Sequence, residues 1–169
     1  MKIVIAGILT LIISFAATAQ EAPRTYWSLG GSLLTFDDGV DSIEPIQVFG
    51  RLGYDFNANF GIGVEGGFSL IDDEIGGVDF DVSTIFFYLK GSIPVGDDAK
   101  IYAMIGPTKV ELTGEFGGFS ISADDDDTGF GFGFEKAIDS YSISVDYIIY
   151  NDNSGVDVSA INLGFVSYF

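Results

Sequence analysis

Eight segments of this chain alternate apolar residues with small or polar ones at every second position. In DTGFGFGFEK (residues 127–136), phenylalanine alternates with glycine three times in succession. A period of two is the pattern of β-strands, whose successive side chains lie on opposite faces of a sheet. The segments cover approximately residues 25–36, 45–55, 60–71, 82–93, 100–112, 128–137, 140–150 and 157–169. The sequence therefore predicts an all-β fold of eight strands.

The connections between these segments alternate in character. Those after the first, third, fifth and seventh segments are acidic or glycine-rich: DDGVDSIE, DDEIGGVDFD, GEFGGFSISADDDD and NDNSG. Those after the second, fourth and sixth are short turns: FNAN, PVGDDA and the residues around Ile138 and Asp139. Long loops at one end and short turns at the other predict an antiparallel up-and-down meander with both termini at the short-turn end.

The first 19 residues have the pattern of a secretory signal peptide. Lys2 precedes an apolar run from Ile3 to Phe15, and Ala17-Thr18-Ala19 is a small-x-small cleavage motif. The run is shorter than the roughly 20 residues of a spanning helix, which argues against an uncleaved anchor. We therefore predict a cleaved signal peptide at residues 1–19 and one domain at residues 20–169.

An exported domain of this kind needs a stabilising factor other than disulfides, because the chain contains no cysteine. No later segment has the 18 consecutive apolar residues of a spanning helix, which leaves a soluble β domain or a membrane β-barrel. A soluble lipocalin-like barrel turns its apolar face inward and a charged face to water. Here the second face is mainly glycine, serine and alanine, which suits a narrow lumen better than a solvated surface.

Outward rings and inward small residues explain both faces, because a closed barrel pairs all its backbone polar groups within lipid. Segment lengths match the 9–11 residues of a tilted spanning strand. Aromatic residues near the predicted strand ends indicate interfacial girdles; they are Tyr26, Trp27, Tyr54, Phe56, Phe60 and Tyr102. The predicted fold is an eight-stranded antiparallel up-and-down transmembrane β-barrel, and recovery of the protein from the soluble periplasm would exclude it.

The signal peptide, the eight segments, YLKGSIPVGDDAKIYAMIGPTKVEL, GFGFGFE and the ending INLGFVSYF resemble the small outer-membrane β-barrel proteins of Gram-negative bacteria. This family includes the barrels of outer membrane proteins A and X and opacity-type porins. The resemblance implies export through the periplasm to the cell outer membrane. It also implies that Asn162, Gly164 and Phe169 form the signal read by the barrel-assembly machinery, although Ser167 stands where a hydrophobic residue is usual.

Seven charged residues are predicted to face the lumen. They are Arg51, Glu65, Lys90, Lys109, Glu111, Glu135 and Asp146. Isolated charges in a narrow interior are costly unless they are paired. Two interpretations remain open, a salt-bridged plug that fills the interior and a gate in which re-pairing opens a small conduit.

The acidic loops suggest oxygen ligands for divalent cations, which could also bridge to the phosphates of lipopolysaccharide. Asp124, Asp125, Asp126 and Asp127 are the candidates, but they do not fit an EF-hand loop and an acidic run is usually a solvated loop tip. We therefore expect no metal site and no cofactor. The formal net charge of -18 disfavours nucleic acid as a partner. The expected partners are outer-membrane lipid, lipopolysaccharide and the assembly machinery, and we expect a monomer.

The chain contains no histidine, so it cannot build a Ser-His-Asp triad or a histidine-ligated metal site. We therefore expect that it is not an enzyme. The sequence favours a structural role in the envelope or a surface-interaction role, with a lumen filled by side chains. The alternative is a small porin-like channel for ions or small solutes.

Overall fold

The computed structural model describes residues 22–37, 42–71, 73–75, 78–116, 119–151 and 157–169. Its strands, in chain order, are β1 (Arg24–Asp37), β2 (Ser42–Ile43), β3 (Ile46–Asp55), β4 (Phe60–Ile71), β5 (Asp73–Ile75), β6 (Val78–Pro94), β7 (Ala99–Phe116), β8 (Phe119–Ile138), β9 (Tyr141–Asn151) and β10 (Asp157–Tyr168). Within these ranges, no helix has the length and hydropathy needed to cross a membrane. The predicted signal peptide lies outside the described residues.

Eight long strands close into an antiparallel barrel, which confirms the predicted fold. Neighbouring strands follow chain order, with the short β2 and β5 attached to β1 and β6. The barrel closes where β1 pairs with β10, from Tyr26 opposite Tyr168 to Asp37 opposite Asp157. Thr25 and Phe169 exchange two backbone hydrogen bonds of 3.2 and 3.0 Å at this closure. Closure removes the free sheet edges that would otherwise leave backbone groups unpaired in lipid.

Three short turns lie at the same end of the barrel as the termini. The Asn57 side chain accepts hydrogen bonds from the backbone N–H groups of Asn59 (2.8 Å) and Phe60 (3.0 Å), which defines the turn between β3 and β4. Gly96, between β6 and β7, has φ of 73°, and Asp139, between β8 and β9, has φ of 52°. Glycine and aspartate are among the residues that adopt this left-handed conformation most readily.

The opposite, loop end contains more strand than predicted. The strands β2 and β5 and the start of β6 at Val78 lie in the loops predicted after the first and third segments. The predicted long loop after the fifth segment, residues 114–127, is mainly strand, because β7 continues to Phe116 and β8 begins at Phe119. These two strands pair along their full length, as far as Phe116 opposite Phe119. The sequence FSISAD within this stretch also alternates at every second position. The acidic run at residues 124–127 indicates a loop and conceals this strand signal.

The outer wall carries a continuous band of exposed apolar side chains. On β8 this band is formed by Phe130, Phe132 and Phe134, whose side chains all point away from the lumen. The predicted aromatic girdle is partly wrong, because Tyr26 and Tyr102 are only 4% and 7% exposed and lie in the lumen. Aromatic residues alone do not mark an interface, since a narrow barrel can also hold rings inside.

Candidate functional site in the barrel lumen

A central ion cluster joins three strands across the lumen. Arg51 on β3 lies directly opposite Glu65 on β4 in the strand register, and its Nε donates to Glu65 Oε2. The other two guanidinium nitrogens donate to Asp146 of β9 at 2.7 and 2.6 Å. Arg51 therefore binds one carboxylate along the wall and one across the interior. This bidentate geometry suits arginine, because its planar guanidinium matches a carboxylate.

The central cluster has two carboxylates and one cation, and neutral donors surround the excess negative charge. Tyr102 donates to Asp146 at 2.8 Å, and the Asn162 side chain donates to the same carboxylate at 3.1 Å. Tyr150 donates to the second oxygen of Glu65. Buried charges are tolerated when hydrogen bonds satisfy their remaining lone pairs. These three side chains are therefore part of the network.

Sequence reasoning missed these neutral members. It assigned Tyr102 to the interface and Asn162 to the assembly signal, and it assigned no role to Tyr150. The alternation of the strands could have found them, because residues 146, 150 and 162 all occupy positions that face the lumen. Which side chains meet across the barrel depends on how the sheet closes.

A second ion cluster lies nearer the short turns. Lys90 pairs with Asp55 at 2.6 Å, and Lys100 lies 3.6 Å from Asp55 and 3.3 Å from Glu135. Tyr168 donates to Glu135 at 2.8 Å. This cluster contains two cations and two anions, so their formal charges sum to zero. Asp55 and Lys100 were not predicted as lumen residues, because both lie at strand ends, where the alternation is hardest to read.

Tyrosine and glycine occupy directly opposite positions on neighbouring strands along the lumen wall. The pairs are Tyr26 with Gly53, Tyr88 with Gly63 and Tyr102 with Gly133. A Cβ atom at any of these glycines would overlap the tyrosine ring. Glycine within a strand often marks such a close approach. The lumen glycines therefore make room for rings, and the Tyr26 and Tyr88 hydroxyls meet at 3.0 Å.

The loop-side half of the lumen is filled mainly by apolar side chains, among which Gln47 donates a hydrogen bond to Thr84 at 3.0 Å. Leu34, Phe86 and Ile148 are 0% exposed, and Met104 is 1% exposed. Phe86 packs edge-on against Tyr150 of the central cluster, with ring centroids 6.2 Å apart. We call this set the apolar plug; its other members include Phe36, Val82, Val110, Val158 and Ala160. The sequence predicted a lumen of small and charged residues, so this half of the interior was missed.

Five of the seven predicted lumen charges lie buried in the lumen: Arg51, Glu65, Lys90, Glu135 and Asp146. The prediction for Lys109 and Glu111 is wrong. Thr108 and Val110 point inward on β7, so the residues between and after them point outward, and Glu111 is exposed. These charges are tolerated on the outer wall because they follow the last apolar residues of the band.

Lys109 forms an exposed ion pair with Asp124 at 3.2 Å. The hydrogen bond to Asp124 and the nearby carboxylates raise the pKa of Lys109 above its ordinary value. Lys109 is therefore fully charged at neutral pH. Because the pair is solvent-exposed, it contributes little to stability.

The structure does not bring the four candidate metal ligands together. Asp124, Asp125, Asp126 and Asp127 lie on β8, where successive side chains point to opposite faces. Asp124 pairs with Lys109, and Asp125 accepts a hydrogen bond from Asn151 at 2.6 Å. In the part of the chain that the structure describes, no group of three or more potential metal ligands of the histidine, cysteine or carboxylate type occurs.

The predicted assembly signal is divided between the lumen face of β10, which carries Asn162 and Gly164, and the chain end. Asn162 is fully buried, Gly164 lies close to the hydroxyls of Ser28 and Ser144, and Phe169 is 74% exposed. Asn162 and Gly164 thus have structural roles in the finished barrel. Their recognition by an assembly machinery stays a prediction.

Comparison with known proteins identifies the same architecture. Residues 5–169 match the family model described as outer membrane protein beta-barrel domain. No curated protein sequence matches the chain. Among solved structures, the Neisserial surface protein A (NspA) has a TM-score of 0.73 at 14% identity, over 88% of this chain and 100% of that chain. Ail, the attachment invasion locus protein of Yersinia pestis, has a TM-score of 0.68 at 17% identity, over 88% and 100%.

The N-terminal β-barrel domain of Pseudomonas aeruginosa OprF is also similar, with a TM-score of 0.58 at 11% identity over 86% of this chain and 98% of that chain. At these identities the likeness concerns the fold.

Proposed function

Because the chain belongs to the outer membrane protein β-barrel family, we propose that it serves the cell envelope as a structural barrel whose lumen does not conduct ions. The protein lies in the bacterial outer membrane. The observation that carries the proposal is the apolar plug, in which Leu34, Phe86 and Ile148 are fully buried. An apolar constriction opposes ion passage because ions must lose their hydration to enter it.

The alternative function is a small pore. It would require re-pairing of the ion clusters and also displacement of the apolar plug, which contains no charge that could drive such a change. In this proposal, the ion clusters therefore fill the lumen and hold distant strands together. The network ties β3, β4, β9 and β10 together through Arg51, Glu65, Asp146 and Asn162.

Planar-bilayer recording tests the proposal. We expect the wild-type barrel to be electrically silent, and we expect the double variant Phe86→Ala/Ile148→Ala to show openings, because it removes two fully buried side chains from the apolar plug. The double variant also shows that inserted barrels would be detected. Reproducible single-channel openings of the wild-type protein would overturn the structural proposal in favour of the pore.

Surface interaction is a second part of the proposal and rests on strand length. β6, β7 and β8 contain 17, 18 and 20 residues, whereas a membrane-spanning strand needs about 9–11. These strands therefore form a ribbon that projects beyond the apolar band. Ail has been solved with the heparin analogue sucrose octasulfate, but the exposed Asp124 and Asp126 make a polyanion an unfavourable partner here. Retention of this barrel on immobilised sucrose octasulfate at low salt would contradict that inference.

The remaining parts of the proposal concern export and partners. Cleavage after Ala19 would release a domain at residues 20–169, and N-terminal sequencing of the membrane-extracted protein tests this. The ending with Asn162, Gly164 and Phe169 supports recognition by the barrel-assembly machinery. Contacts with outer-membrane lipid and lipopolysaccharide follow from the location, a monomer is expected, and no catalytic step forms part of the proposed role.

A further inference from the structure

One buried amine and one buried carboxyl group meet in the lumen across a glycine. Asp55, the last residue of β3, and Lys90 of β6 both lie directly opposite Gly61 of β4, on its two sides. A Cβ atom at Gly61 would overlap Asp55 Oδ1, so the missing side chain gives the carboxyl group its place. Glycine in a strand often marks such a close approach. The register of three strands thus brings Lys90 and Asp55 together.

The contact between these two groups is short, but it is not a hydrogen bond. Lys90 Nζ lies 2.6 Å from Asp55 Oδ1. Nevertheless, among the residues that the structure describes, this oxygen has no hydrogen-bond partner. A charge-assisted hydrogen bond between an amine and a carboxylate has a length of about 2.7–2.9 Å and a well-directed N–H group. The amine is therefore held against the carboxyl group without being bonded along an N–H direction.

Lys90 also has the surroundings of a reactive lysine. It is 5% exposed, and the Tyr26 ring covers it, with Nζ 4.0 Å from the ring centroid. A second cation, Lys100, shares the same carboxylate of Asp55. Lysine is activated as a nucleophile when it is desolvated or lies beside another cationic group. Both conditions are met at Lys90.

Lys100 and Glu135 place a proton carrier beside the same carboxyl group. Lys100 donates a hydrogen bond to the Tyr168 hydroxyl and pairs with Glu135 at 3.3 Å. Its ammonium group lies 3.6 Å from Asp55 Oδ2. Replacement of a C–O bond by a C–N bond is assisted by an acid next to the departing oxygen. Lys100 is in place to act as that acid.

We propose that Lys90 and Asp55 form an intramolecular isopeptide bond in the folded barrel. One ammonium proton passes to the carboxylate, the Nζ lone pair attacks Asp55 Cγ, and a C–N bond forms. The Cγ–Oδ2 bond then breaks, and Lys100 protonates the departing oxygen, which leaves as water. A second proton released by Nζ passes through Glu135 back to Lys100. One amine and one carboxyl group thus give one amide and one water, and no oxidant or cofactor is consumed.

The lumen favours the amide over the ion pair for two physical reasons. A buried ion pair costs desolvation free energy, which the neutral amide avoids. The closed barrel also holds the two groups in one geometry and excludes water, so condensation is favoured over hydrolysis. The second ion cluster keeps a formal charge of zero, because Lys100 and Glu135 remain as a pair. The bond is independent of whether the barrel conducts.

Intact-mass spectrometry of the full barrel, extracted from outer membranes and then denatured, tests for this bond. We expect the wild-type chain to be one water molecule lighter than the sum of its residues. A protease digest should contain a branched fragment that joins the segment around Asp55 to the segment around Lys90. Lys90→Arg keeps the positive charge but removes the nucleophilic amine, so it should have the full mass. Lys136→Arg is the matched control at an exposed lysine and should still lose one water.

The same chain before folding provides the second control. Protein purified from inclusion bodies in denaturant should have the full mass, and it should lose one water only after refolding into lipid vesicles. A full mass for the folded wild-type protein would show that Lys90 and Asp55 are an ordinary ion pair and would overturn the proposal. A loss of water that persists in Lys90→Arg, or that is already present before folding, would overturn it as well.

Discussion

The two halves of the lumen are filled by different chemistry. The half towards the short turns holds two ion clusters, in which Arg51 and Lys90 pair with buried carboxylates. The half towards the loops holds the apolar plug, including the fully buried Leu34 and Phe86. The charged half specifies which strands face each other, because its partners must meet in one geometry. The apolar half excludes water, and its members are interchangeable as long as the volume is filled.

The largest expected effect comes from removing the central cation. Arg51→Ala leaves Glu65 and Asp146 buried without a counter-charge, and we expect it to lower the free energy of unfolding by about 3–5 kcal/mol. Urea unfolding of the barrel refolded into lipid vesicles measures this. Lys109→Ala is the control, because its pair with Asp124 is exposed and should contribute less than about 1 kcal/mol. Similar losses in both variants would contradict a distinct charged half.

A smaller loss of stability is expected when one large side chain is removed from the apolar plug. Phe86→Ala should cost about 3 kcal/mol, near the lower end for a buried phenylalanine, because the flexible Met104 can partly fill the space. Phe87→Ala, the next residue along β6, is the control: its ring is 56% exposed on the outer wall and leaves no internal cavity. If the Phe87 variant lost as much stability as the Phe86 variant, the assignment of faces on β6 would be wrong.

The smallest effect tests how tightly the plug is packed. A Cβ at Gly131 would lie 2.9 Å from Met104 Cε and 3.2 Å from Ile148 Cγ1, whereas nothing lies within 4 Å of a Cβ at Gly91. We expect Gly131→Ala to cost about 1 kcal/mol through overpacking. Gly91→Ala should be neutral or slightly stabilising, since it restricts the unfolded chain. The same vesicle unfolding assay compares them, and the reverse order would show that the plug has free volume.

The eight strands, the closed barrel and the outward apolar band were predictable from local pattern. Alternation at every second residue determines which side chains share a face, and the scarcity of charge on the apolar face indicates lipid. The same reasoning located Arg51, Glu65 and Asp146 correctly on the inner face. It failed for Lys109 and Glu111, because it took charge as evidence for an inward position where the strand had already left the apolar band.

The period of two and the composition of each face are local properties, so they were enough to predict a membrane barrel with charged residues in its lumen. Closure of the barrel, in contrast, determines that Arg51 meets Asp146 across the lumen, that tyrosines cover the glycines opposite them, and that Leu34, Phe86 and Ile148 fill the loop-side half. These contacts join strands far apart in the chain, and their register is set by closure of the sheet.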